Sequence, residues 1–236
     1  MKFIRLIVAS VLTLCVACLV QAADSKPVAR VISIQDVTTD DASGYAAWVS
    51  KANEVAKAKL GIDTYQKVFV SLADGERTGS VRTVTAAESV AALTKSGDAL
   101  QDDPAVREIR DHLRRIRTLG ARVLYQGVRF DGTYKNAYVY TTIATVSDEA
   151  GYLKALDGLR ALFDSHGFQD AKINAYRVLA GRSNHSHRIT LALPSNERLA
   201  ALLDFVAGDA SMAEWLAGAA KFRTVVSNGT AHDITK

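Results

Sequence analysis

Two histidines stand two residues apart in Asn184-His185-Ser186-His187-Arg188, the stretch of this chain richest in chemical groups. On an extended strand that spacing turns both rings to one face, where His185 and His187 could share a metal ion. A third ligand would have to come from elsewhere. The same residues also follow Gly181 in a polar turn, so a solvated hairpin competes with the metal site. Arg107, Arg110, Arg114 and Arg117 form a second constellation, widened by Arg115. Their spacing places them on one helix stripe, beside an apolar stripe of Val106, Ile109, Leu113 and Ile116. Such a row of guanidinium groups suits anion binding, to a phosphate or a carboxylate. A solvated face partly balanced by Glu108 and Asp111 accounts for it more simply.

Tyrosines make the third group. Tyr125, Tyr138, Tyr140 and Tyr176, with Tyr134 nearby, fall on strand-like runs. An apolar ring with a hydroxyl handle suits a pocket for a small aromatic or polyketide-like ligand. It equally suits a core in which each hydroxyl finds a partner. Tyr138 and Tyr140 share one facing on their strand. His166, just ahead of Gly167, reads as a favourable charge at a helix C-terminus. His112 reads as a helix-surface residue and His232 as part of a frayed tail. The sequence offers no nucleophile–base pair, no phosphate-cradling glycine loop and no paired carboxylates.

The elements that must position these residues are written twice. Asp41-Ala42-Ser43-Gly44-Tyr45 recurs as Asp148-Glu149-Ala150-Gly151-Tyr152, and each opens an amphipathic helical pattern with an acid at the N-cap position. Tyr45, Trp48, Val49, Ala52, Val55, Ala56 and Leu60 form the first apolar stripe. Tyr152, Ala155, Leu156, Leu159, Leu162 and Phe163 form the second. Gly61 and Gly167 stand where a left-handed C-terminal residue is wanted. Downstream, strands are expected over 65–72 and 171–179, then over 80–86 and 187–193. Two short helices per half follow, over 88–95 and 103–119, then over 195–207 and 209–219. Pro104 just inside one of them and Gly120 just past its end fit the usual asymmetry of helix termini. Each half opens on a strand, over 28–37 and 136–146, and closes on one, over 122–130 and 222–230.

Each unit is therefore β-α-β-β-α-β, the ferredoxin-like arrangement. The fold class is α+β, two tandem ferredoxin-like units whose antiparallel sheets pack together. The halves are expected over 23–131 and 132–236, joined by a short linker around 131–135. Covering both sheet faces explains why 137–144 lacks a polar face. On this element order and duplication, the chain resembles the dimeric α/β-barrel superfamily in its tandem, single-chain form. The resemblance spans about residues 28–232. It implies antibiotic-biosynthesis-monooxygenase-like proteins, haem-degrading enzymes, chlorite dismutases and binding proteins as relatives. Haem-using members need an axial histidine in a deep pocket, and no local motif here carries that residue over. The reading implied is a small apolar or aromatic ligand held between sheet and helices. The alternatives are a cofactor-free monooxygenase or haem-using enzyme, and an interaction module without a ligand.

The N-terminus predicts export. Lys2 and Arg5 precede an apolar run over 6–20, and the small pair Val20 and Ala22 follows. That describes a signal peptide over 1–22, too short to remain as a spanning helix. Lipidation at Cys18 is the alternative, although Cys15 stands where such signals usually carry Leu. Both cysteines lie inside the leader, so cleavage leaves no thiol and no disulfide. Cleavage also removes Lys2 and Arg5, leaving 27 of the 29 basic residues against 25 acidic ones. So balanced a chain gives no argument for nucleic acid.

Overall fold

The chain is described here by a computed structural model over residues 31–63, 65–181 and 183–235. The predicted leader, with Cys15 and Cys18, lies outside those residues. The first half runs β1 (Val31–Thr38), α1 (Ala42–Leu60), β2 (Gln66–Ala73), β3 (Val81–Ala87), α2 (Val90–Gln101), α3 (Pro104–Ile116) and β4 (Thr118–Phe130). The second runs β5 (Tyr138–Val146), α4 (Glu149–Ser165), β6 (Lys172–Ala180), β7 (His187–Leu193), α5 (Asn196–Gly208), α6 (Ala210–Ala219) and β8 (Arg223–Asp233).

The repeated Asp-x-x-Gly-Tyr sequence starts α1 and α4 in the same way. Asp41 accepts a hydrogen bond from the Gly44 amide at 2.8 Å, and Asp148 from the Gly151 amide at 3.0 Å. A Cβ at either glycine would come within 2.1 or 2.5 Å of that carboxylate, so the cap requires glycine there. The following tyrosines turn inward with no exposure or 1% exposure, and each meets an arginine from its half's last strand or the residue before it. Arg117 donates to the Tyr45 hydroxyl at 2.7 Å and Arg223 to the Tyr152 hydroxyl at 2.5 Å.

Within each half the strands pair antiparallel, in the orders β4-β1-β3-β2 and β8-β5-β7-β6. The halves then join edge to edge. β2 pairs with β8, and β4 pairs with β6, closing one eight-stranded barrel. Closure leaves no unpaired sheet edge. The helices lie outside. One core, built on Tyr152, Leu156, Leu159 and Phe163 of α4, fills the space between the second sheet and its helices. A smaller one on Tyr45, Val49, Ile109 and Leu113 does so for the first.

Two expected boundaries move. Helix α3 stops at Ile116, and β4 begins at Thr118 rather than at 122, because Thr118 and Leu119 extend the ladder opposite Thr38 and Val37. Gly120, expected just past a helix end, lies inside that strand, with its Cβ position 3.2 Å from the Cβ of Asp36. The tail around His232 is not frayed either. β8 reaches Asp233, His232 stacks on Tyr138 with centroids 4.1 Å apart, and Thr235 accepts from the Val68 amide at 2.8 Å.

Candidate functional site

Strand alternation decides which side chains enter the barrel. On β7, Ile189, Leu191 and Leu193 join the outer core, so Arg188, Thr190 and Ala192 face the lumen. On β6, Ile173 and Ala175 face out, and Asn174 and Tyr176 face in. Ile32, Ile34, Tyr125 and Tyr176 pack together as a lumen cluster. The rest of the lumen is open. A cavity of about 620 Å³ opens past Asp36, Asp74 and His185, and one of about 980 Å³ opens past Lys67, Tyr134 and Asp233. Ile34, Arg82, Thr141, Arg188 and Ala231 line both, so the two cavities meet at the middle of the barrel.

The polar groups differ from one end to the other. At the larger cavity, the Lys67 ammonium lies 2.8 Å from the Asp233 carboxylate and donates to the Tyr134 carbonyl. At the smaller, Arg82 bonds Asp36 and Asp74 at 3.1 Å each, and Arg77 also reaches Asp74. Between them lies Arg188, deep in the lumen against the phenol of Tyr125, where burial lowers its pKa. The Tyr125 hydroxyl in turn lies 2.9 Å from Nε2 of His185. Ser183 Oγ donates to the His185 carbonyl, so it accepts from Nδ1–H at 2.8 Å. That assigns the imidazole tautomer: Nδ1 carries the proton and Nε2 accepts from Tyr125. Burial, then Arg188 and Arg77, hold the His185 pKa below its ordinary value, which favours this neutral ring. Burial raises the pKa of Tyr125 despite Arg188, and raises that of Tyr176 further.

These placements divide the residues singled out from the sequence. Tyr125 and Tyr176 line the lumen. Tyr138 and Tyr140 pack outward against the second helical core and line neither cavity. The alternation invoked for His185 and His187 begins only at His187, where β7 starts. His187 therefore faces out, with Nε2 2.8 Å from Glu149, while His185 sits at the lumen mouth. The two rings serve different partners, and no group of three metal-ligating side chains occurs among the described residues. The arginine stripe also divides: Arg110 caps the Gln101 carbonyl, Arg114 lies 3.5 Å from Asp111, Arg117 turns in to Tyr45, and Arg107 is exposed. Arg188 was passed over, although one signal in the sequence could have found it: the repeat pairs it with Arg82.

The space between sheets and helices, where a ligand was expected, is filled by the two packed cores, and the cavity lies in the lumen instead. The fold is that of the dimeric α/β-barrel proteins, with both ferredoxin-like units in one chain. Solved structures agree. A candidate monooxygenase from Lactobacillus acidophilus superposes with a TM-score of 0.54 at 11% identity, covering 87% of this chain and 93% of that one. An anthrone oxidase-like protein gives 0.52 at 12%, covering 87% and 91%. A haem-binding protein from Thermus thermophilus gives 0.51 at 8%, covering 87% and 91%. No family's sequence profile matches the chain, and no curated protein does.

The lumen offers haem no unengaged axial histidine. His185 is the one histidine among the described residues that lines either cavity, and both its ring nitrogens are engaged.

Proposed function

We propose that this protein binds a small aromatic or otherwise apolar molecule inside the barrel lumen. The observation that carries the reading is the continuous lumen itself, walled by Ile32, Ile34, Phe69, Val139 and Tyr176 and open at about 980 Å³ on its wider side. Concave, mostly apolar space with a few convergent polar groups is what a small-molecule site requires. An eight-stranded barrel is wide enough to hold one such ligand. Export, proposed from residues 1–22, makes it a binding protein outside the cytoplasm. Native mass spectrometry of protein purified without denaturation tests the reading. A retained mass lost when Ala192→Trp fills the lumen is the expected result. A mass retained equally by that variant would refute it.

A second reading has its own observation, the Tyr125–His185 pair. A neutral imidazole accepting from a phenol can take up a proton released at the smaller cavity. A cofactor-free monooxygenase needs such a base, because its substrate must give up a proton before its electrons pass to dioxygen. Two structural neighbours bear on this: one is a candidate monooxygenase and one is anthrone oxidase-like. With anthrone as the probe, the reaction would consume one dioxygen, form anthraquinone and release one water. An oxygen electrode would read it. Uptake that falls in His185→Gln supports catalysis, and uptake no faster than without protein removes it.

A further inference from the structure

Arg82 and Arg188 occupy the same position in the two halves. Arg82 stands opposite Asp36 and Phe69 in its strand pairs, and Arg188 stands opposite Ile143 and Tyr176 in the corresponding ones. Both side chains enter the lumen, and both line the two cavities. Their surroundings have diverged in one respect. Arg82 keeps two carboxylates, Asp36 across the strand pair and Asp74 from the turn after β2. In the second half Ile143 stands where Asp36 would be. Leu72-Ala73-Asp74-Gly75 has become Leu179-Ala180-Gly181, a turn one residue shorter that loses the second acid.

Arg188 is thus a half-buried guanidinium whose neighbours are the phenols of Tyr125 and Tyr176 and the like charge of Arg82. No carboxylate among the described residues pairs with it. The walls of the smaller cavity carry Arg77, Arg82 and Arg188 against Asp36 and Asp74, which leaves one positive charge over. His185 adds none, being held neutral. A half-buried charge without a counter-charge is costly in proportion to its lost hydration, and Arg does not relieve that cost by losing its proton. A guanidinium fork facing open space is shaped for a planar, two-oxygen anion.

We propose that the lumen selects an organic anion, an aromatic carboxylate or similarly delocalised oxyanion, and that Arg188 supplies its counter-charge. The proposal rests on the lumen being the ligand site and names the ligand's class. Calorimetric titration with 2-naphthoate and its neutral isostere 2-naphthamide separates the two claims. The full chain is expected to bind the naphthoate about tenfold or more tightly than the amide, the worth of a charge-assisted hydrogen bond. Arg188→Met should erase that preference. Because Arg188→Met could disturb folding, Ile143→Asp provides the second test. It restores to Arg188 the cross-strand acid that Arg82 has, and should cancel the preference while leaving the barrel intact. Equal binding of both probes to the unaltered protein overturns the anion claim and leaves the lumen site standing. So does a naphthoate preference that survives both substitutions. Binding of neither probe overturns the lumen reading, and the anion claim with it.

Discussion

Tyr125 and His185 meet through a 2.9 Å hydrogen bond that joins β4 to the turn before β7, across the joint between the two halves. The bond needs an unprotonated Nε2, and burial holds the His185 pKa below its ordinary 6.5. Protonation therefore favours the unfolded chain, in which the ring recovers its ordinary pKa. In the window just below 6.5 the unfolded state binds more protons, so this group's contribution makes stability rise with pH there and level off above it. Chemical denaturation of the protein and of His185→Gln, between about pH 5 and pH 7, should show the difference between them widening with pH. A constant difference would mean that His185 is not held neutral.

Tyr138 and Tyr140 face the outer core, not the lumen, which separates their roles from those of Tyr125 and Tyr176. Burial raises the Tyr140 pKa, with Thr142 acting the other way. Tyr140→Phe should cost about 1 kcal/mol of stability. Ligand retention should be unchanged in both Tyr138→Phe and Tyr140→Phe. A loss of retention in either would return these rings to the binding site.

How far the sequence reaches is clear from single residues. Asp41 and Asp148 were legible as helix starts because a cap is a local event, decided by four consecutive residues. The β-α-β-β-α-β order followed from periodicity together with the internal repeat. Closure of the barrel was not legible, since β2–β8 and β4–β6 pairing joins residues far apart in the chain. Nor was the facing of Tyr138 and Tyr140, because strands covered on both faces lose the alternation that would assign a side. Gly120 misled because a glycine after a helical pattern signals a cap, while the longer ladder against β1 extended the strand across it.

Leu159 is 3% exposed within the second helical core, whereas Leu162 on the same helix is only partly buried. Leu159→Ala should leave a cavity and cost about 2–5 kcal/mol, with Leu162→Ala costing less. Thermal unfolding of both variants checks the order. Equal costs would mean that α4 packs on a different face.

The last described residues line the wider mouth of the lumen. Asp233 is 1% exposed, bonds Lys67, and accepts from the Thr235 amide and hydroxyl. Asp233→Ala leaves Lys67 facing the lumen without its acid and should cost about 1.5–3 kcal/mol. It should also weaken the β2–β8 joint, which hydrogen exchange at Val68 and Ile234 would report as faster opening.

The central claim is that the ligand lies inside the barrel against Arg188. A crystal structure with 6-bromo-2-naphthoate tests it most directly, since the bromine's anomalous signal locates the ring system unambiguously. The expected result is a peak in the lumen near Ile34 and Tyr176, with the carboxylate within hydrogen-bonding distance of the Arg188 guanidinium. A peak between a sheet and its helices, or only on the outer surface, would contradict the account.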